Sequence, residues 1–127
     1  MDSNNKVLVV EDDGLLQNVF YGKLTTLGFN VLKVSDGKKA LEMIISEIPT
    51  LVLLDLMIPG MDGFQVLEHI RNYPDKHISE IKVIVLSNLY TAKDILSAKA
   101  LKIEEYYVKT TADLDEICAR VVACTKA

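Results

Sequence analysis

Hydrophobic positions in this chain alternate between two patterns. Short apolar runs without polar alternation are each followed by a longer segment whose apolar residues recur every three or four positions. The first run, Lys6-Val7-Leu8-Val9-Val10, is rich in β-branched residues and suits a strand covered on both faces. Leu15, Leu16, Val19, Phe20, Leu24 and Leu27 then mark one apolar face of a helix, and Gly28 is a natural stop. A second strand covers Asn30–Val34, and Ser35-Asp36-Gly37 is turn chemistry. Ala40, Leu41, Ile44, Ile45 and Ile48 mark the second helix.

After Pro49 the strongest strand, Leu51–Leu54, runs into Asp55. A third helix is expected from near Asp62, with Phe64, Val66, Leu67 and Ile70 inward, finishing before Pro74. The fourth strand spans residues 81–86 and ends at Ser87. Thr91 with Asp94 resembles a capping box, although the helix behind it has a poor apolar face. Residues 106–108 form a fifth strand ending at Lys109, and Leu114, Ile117, Cys118, Val121 and Val122 define a closing helix. Strands alternating with helices predict a parallel sheet with helices on both faces, within one α/β domain over residues 1–127 and a core of about 6–124.

Composition adds exclusions. The 127 residues carry a net charge of −4, so no broad basic surface points to direct nucleic-acid binding. Cys118 and Cys124, six apart, are not expected to share a helix face or form a disulfide, which suits a reducing compartment. The polar start Met1-Asp2-Ser3-Asn4-Asn5 lacks a signal-peptide core, and no apolar run is long enough to cross a bilayer. A cytoplasmic protein without membrane contact is the expectation.

The chemistry lies where the strands end. Glu11-Asp12-Asp13 follow the first strand, Asp55 the third, Ser87 the fourth and Lys109 the fifth. Right-handed crossovers bring those ends to one edge of a parallel sheet, where ligands bind. Carboxylates about 4 Å apart repel by roughly 4 kcal/mol at an effective dielectric of 20, so converging acids call for a cation. All-oxygen ligands suit Mg²⁺, or Mn²⁺, with coordination room left for a phosphate oxygen. Lys109 and Ser87 could then hold a phosphoryl group, and Asp55 is the acid best placed to be a nucleophile.

Four fragments in order, Val9-Val10-Glu11-Asp12-Asp13, residues 53–63 around Asp55, Val85-Leu86-Ser87 and Tyr106-Tyr107-Val108-Lys109, resemble the response-regulator receiver family of two-component signalling. The resemblance covers nearly the whole chain. It implies a flavodoxin-like doubly wound (βα)5 three-layer sandwich with strand order 2-1-3-4-5. It also implies Asp55 as phosphoacceptor and Glu11 and Asp12 as the acidic pair, with Asp12 the direct metal ligand. The Met57 backbone carbonyl becomes a further metal ligand, Lys109 the phosphoryl-pairing lysine, and Ser87 and Tyr106 the switch residues. The implied partners are a histidine kinase or phosphotransfer protein and a downstream effector or output domain. Phosphorylation would repack the face of the helix after Thr91, the fifth strand and the closing helix, through which a homodimer could also form. The chain is thus expected to be a signalling switch rather than an enzyme, limited to self-phosphorylation and slow autodephosphorylation.

Two positions depart from the family pattern: Thr110 stands where proline usually follows the lysine, and residues 99–103 replace a Gly-Ala-rich turn. Simpler roles also have a place. Asp13 and Asp62 are expected to be helix caps, His69 and His77 have no ligand spacing, and Tyr106 could be a packing aromatic. Among rival functions, a flavin module would need a Ser/Thr/Gly-rich loop where Glu11-Asp12-Asp13 stand. An Asp-x-Asp phosphatase would need an acid at Met57. A degenerate receiver kept for interaction alone is a third alternative.

Overall fold

The computed structural model describes residues 5–126. Strands β1 (Lys6–Val10), β2 (Asn30–Val34), β3 (Leu51–Leu54), β4 (Lys82–Ser87) and β5 (Glu105–Val108) form one parallel sheet in the order β2-β1-β3-β4-β5. Helices α1 (Gly14–Thr26), α2 (Gly37–Glu47), α3 (Gly63–Arg71), α5 (Ala92–Lys99) and α6 (Leu114–Thr125) follow the strands. The sequence pattern did not anticipate α4, a single turn over Lys76–Ser79 capped by Asp75.

Between their ends the central strands β1, β3 and β4 are apolar without alternation, because alternate side chains feed two separate cores. Leu8, Val10, Val52, Leu54, Val83 and Val85 pack with Ala40, Ile44, Val66, Leu67, Ile70 and Ala98 on one face. Val7, Val9, Leu51, Leu53, Ile84 and Leu86 pack with Phe20, Leu24, Ile117 and Val121 on the other. The middle of β1, β3 and β4 is therefore dry on both sides, and the polar residues lie at the strand ends.

Three assignments to helix faces need correction. Leu15 is 78% exposed, because the first turn of α1 lies past the last paired residues of β1 and β2, Val10 and Val34. The inward place in that turn belongs to Gln17, which is buried. Leu27 caps the end of α1 and is exposed, and Phe29 is buried beyond it. Ile48 lies outside α2 as its C-cap, in the left-handed region at φ 44° and 43% exposed.

A β-branched residue there is strained, at about 1–2 kcal/mol, because its Cβ crowds the following carbonyl. Glycine relieves that crowding but loses more chain entropy on folding. Ile48→Gly is therefore expected to raise unfolding free energy by about 0.5–1 kcal/mol. Urea titration would register this as a higher midpoint at unchanged slope. A lower midpoint would mean that the side-chain contacts of Ile48 outweigh its backbone strain.

The cysteine expectation also changes in part. Cys118 and Cys124 are both buried, at opposite margins of the apolar stripe of α6, and neither is in a disulfide. Burial pushes both thiols up, so they stay protonated at neutral pH. Among the described residues no helix is long and apolar enough to cross a membrane.

Candidate functional site

The loops leaving β1, β3 and β5 converge as the strand-end pattern implied. Glu11 follows β1, and its backbone N–H continues the ladder to the Val34 carbonyl (3.1 Å). Asp55 follows β3, donating its N–H to the Val10 carbonyl (3.1 Å), and Lys109 follows β5, donating its own to the Ser87 carbonyl (2.9 Å). The three backbones are thus held by sheet hydrogen bonds, and their side chains meet above the edge.

Lys109 Nζ lies 2.7 Å from Asp55 Oδ2 and 2.8 Å from Glu11 Oε1. Both carboxylate side chains are only 3% exposed and that of Lys109 16%. Asp55 Oδ1 accepts the Met57 N–H (2.9 Å), and Glu11 Oε2 accepts the Asp13 N–H (3.0 Å). Asp12 is exposed and has no hydrogen bond or ion pair among the described residues. Ligand oxygens of Glu11, Asp12 and Asp55 all lie within 4.8 Å of one another, a spacing one cation can bridge.

Burial pushes the Glu11 carboxyl above its ordinary range, and the Lys109 and Asp13 hydrogen bonds only partly oppose this. Burial alone would lower the Lys109 ammonium, but hydrogen bonds and charge from Asp55 and Glu11 outweigh it and hold the group above its ordinary value. Lys109 is therefore a fixed cation at neutral pH, whereas Glu11 is an acid short of positive charge. No peptide bond among the described residues is cis. Lys109 thus reaches both carboxylates through a trans bond to Thr110.

Asp13 and Asp62 act as caps, as their positions suggested. Asp13 Oδ1 accepts from Leu15 and Leu16 N–H, and Asp62 forms a reciprocal capping box with Gln65. Thr91 Oγ1 accepts from Asp94 N–H (3.1 Å) and also donates to Asp94 Oδ2 (2.7 Å), so this cap closes side chain to side chain. Ser87 is fully buried, and its Oγ accepts the Leu89 N–H (3.3 Å). The half-buried Tyr106 hydroxyl donates to the Leu89 carbonyl (2.8 Å). Burial, then Asp94 and Asp55, raise that phenol above its ordinary value, so it stays a donor. Both expected switch residues therefore hold the same residue, the first apolar one of the loop into α5. His69 and His77 are exposed.

The family model for the response regulator receiver domain matches residues 7–122. The chain belongs to that family. It is 32% identical over 119 residues to the Regulator of RpoS from Escherichia coli strain K12, covering 94% of this chain and 34% of that protein. It is 31% identical over 109 residues to the "Probable transcriptional regulator ycf27" of Guillardia theta, covering 86% of this chain and 41% of that one. The chain thus spans well under half the length of these curated relatives. Among solved structures, the BeF3-activated N-terminal receiver domain of Klebsiella pneumoniae RstA is similar, with a TM-score of 0.82 at 28% identity. That match covers 97% of this chain and 100% of the other. The chain is a receiver domain of two-component response regulators, a family of signalling switches that binds Mg²⁺ in an acidic pocket.

Two parts of this receiver's site were not visible as motifs. Gln17 donates from Nε2 to the carbonyls of Glu11 and Val34, both at 3.0 Å, tying the acidic segment to the end of β2. A glutamine at an inward helical position was the available signal. The second is a pair of glycines around the segment after Asp55. A Cβ on Gly37 would run into the Met61 carbonyl oxygen, and one on Gly63 would lie 2.5 Å from Leu56 Cα. Turn chemistry accounted for Gly37 in the sequence, whereas its structural role is close approach.

Proposed function

We propose that this chain is one phosphoacceptor unit, residues 1–127 with a core of about 6–124, that takes a phosphoryl group from a histidine kinase or phosphotransfer protein onto Asp55. The observation that carries this reading is the Lys109 ammonium shared by Glu11 and Asp55 beside the unpaired acid of Asp12. Three carboxylates against one ammonium leave an excess of two negative charges, the balance that suits a divalent cation. Mg²⁺ or Mn²⁺, held by Glu11, Asp12, Asp55 and the Met57 backbone carbonyl, supplies positive charge that offsets repulsion of an anionic phosphodonor.

Asp55 is the nucleophile. One of its carboxylate oxygens attacks phosphorus as the P–N bond of phosphohistidine breaks, and the imidazole leaves with the electron pair and takes up a proton. Lys109 and the Ser87 hydroxyl donate to the transferred phosphoryl oxygens. Ser87 is thereby drawn from Leu89, the Tyr106 bond to Leu89 loosens, and the surface of α5, β5 and α6 repacks. A downstream effector or an output domain reads that surface in the cytoplasm, where a homodimer through the same face is a further readout. The similar Klebsiella domain is described as BeF3-activated, which supports an activatable site in this fold. No acid stands at Met57 to activate water, so hydrolysis of the aspartyl phosphate is slow.

Incubation with Mg²⁺ and acetyl phosphate, followed by intact mass, is expected to give one phosphoryl adduct per chain. Asp55→Asn should give none, EDTA should suppress it, and Asp12→Ala should slow it by roughly 10²-fold, the loss expected when a transition-state charge partner goes. An adduct persisting in Asp55→Asn would place the acceptor elsewhere. No adduct in the wild type would leave a receiver fold kept for interaction alone.

A further inference from the structure

We propose that Arg71, at the last turn of α3, is the positioning residue that fixes the C-terminal end of α5, so that the switch helix moves from its N-terminal end only. The switching half of this inference rests on the function proposed above, whereas the anchoring half does not.

Arg71 uses its guanidinium to bridge two chain segments that follow different elements. Nε donates to the Leu101 carbonyl (2.7 Å) and Nη2 to the Lys102 carbonyl (2.9 Å), both just past α5. Nη1 donates to the Ser79 (2.9 Å) and Ile81 (2.8 Å) carbonyls, which lead into β4. A cavity of about 490 Å³ opens beside this bridge, lined by Arg71, Ser79, Ile81, Leu101, Lys102 and Glu104 among others. Beside that opening the two segments are joined through the guanidinium. Lys102 is in the left-handed region at φ 62°, and one of the four bonds holds its carbonyl there.

The two ends of α5 are held unequally. Only Ala98 of the helix is buried, and Leu96 is 67% exposed, so packing secures little of it. The preceding loop is tied by two neutral hydrogen bonds, Leu89 N–H to Ser87 and Tyr106 to the Leu89 carbonyl. The other end has two charge-assisted bonds, to the Leu101 and Lys102 carbonyls, each roughly twice as strong as a neutral one, and the guanidinium that makes them is itself held by the Ser79 and Ile81 carbonyls. Those weaker bonds belong to the two switch residues. A change at Ser87 therefore frees one end while the other stays in place, which turns a local shift into a swing of α5. A lysine at residue 71 keeps the charge but has no planar fork to reach four carbonyls.

Amide hydrogen exchange on the full chain tests both halves, with intact mass recorded on the same samples. Without phosphodonor, amides of residues 100–102 are expected to exchange roughly tenfold more slowly than those of residues 95–97. In Arg71→Lys that difference should vanish while the β1 and β3 amides keep their protection. A uniform rate along α5 in the wild type, or a gradient that survives Arg71→Lys, overturns the anchor. With Mg²⁺ and acetyl phosphate, wild-type exchange should rise at residues 88–95 and stay unchanged at 100–104. Arg71→Lys should form the Asp55 adduct at the wild-type rate yet open at both ends. An adduct with equal opening at both ends of the wild-type helix overturns the pivot. Absence of any adduct overturns the proposed function, and the phosphodonor-free gradient then decides the anchor alone.

Discussion

Replacing Lys109 with methionine is expected to cost about 3–5 kcal/mol of stability near neutral pH in magnesium-free buffer. Methionine keeps much of the lysine stem's volume, so the loss isolates the charge. Glu11 and Asp55 have side chains 3% exposed and share that one ammonium. Without it two buried carboxylates face each other and Asp12 with no cation, and removing one partner of a buried pair is far more costly than never building the pair.

The pH dependence has a definite sign. Lys109 has its folded pKa raised above 10.5, so its contribution is full below that value and is lost only as pH rises through the higher one. Glu11 is also raised, above 4.5, so the fold favours its protonated form. That contribution is present below 4.5 and lost as pH rises through the folded value, which makes ionised Glu11 a cost at neutral pH. In Lys109→Met the cost grows, because the acids have lost their cation. The deficit relative to wild type should therefore be largest near neutral pH and shrink below the ordinary carboxylate range, where protonated acids need no partner. Added Mg²⁺ should restore part of it at neutral pH. Urea titrations across this range, with and without Mg²⁺, measure each term. A deficit that ignores both pH and Mg²⁺ would show that Lys109 acts through packing rather than charge.

Gly63→Ala is expected to cost about 3 kcal/mol, at the upper end of overpacking effects, and to slow phosphorylation of Asp55 as well. The added Cβ would lie 2.5 Å from Leu56 Cα and 2.6 Å from the Asp55 carbonyl oxygen. Both are backbone atoms, so no side chain can swing aside. Gly63 N–H also donates to the Leu56 carbonyl (3.0 Å), which pins α3 to the same segment. Relief must come from separating α3 from the loop that carries Asp55, and an acceptor displaced by about 1 Å can lose roughly 10²-fold in rate. Thermal unfolding together with the acetyl phosphate reaction separates the two effects. A variant that is destabilised but phosphorylated at the wild-type rate would mean that the loop relaxes without moving Asp55.

Much of this was legible in the sequence because it depends on local chemistry and on chain direction. Unbroken β-branched runs require cover on both faces, and the two cores supply it. Right-handed crossovers bring all strand ends to one edge, so the sequence groups Glu11, Asp12, Asp55, Ser87 and Lys109 there, and the first three and Lys109 meet in the fold. Asp13 and Asp62 cap their helices because a short acidic side chain before a helix reaches the first free N–H groups. What stayed hidden depends on which atoms meet across the fold. Helical periodicity put Leu15 inside, but the sheet ends before that turn, and Gln17 is the buried residue. No sequence pattern marks Arg71, around which segments 8 to 31 positions away bring four carbonyls. Kinship implied Lys109 only as the phosphoryl-pairing lysine, whereas its contact with two acids, 54 and 98 positions distant, and its trans link to Thr110 needed coordinates. By itself the sequence determined which residues reach the edge, since strand direction and crossover hand are chain properties. Only the tertiary structure decided which of them touch, since hydrogen-bond and ion-pair distances depend on packing to a fraction of an ångström.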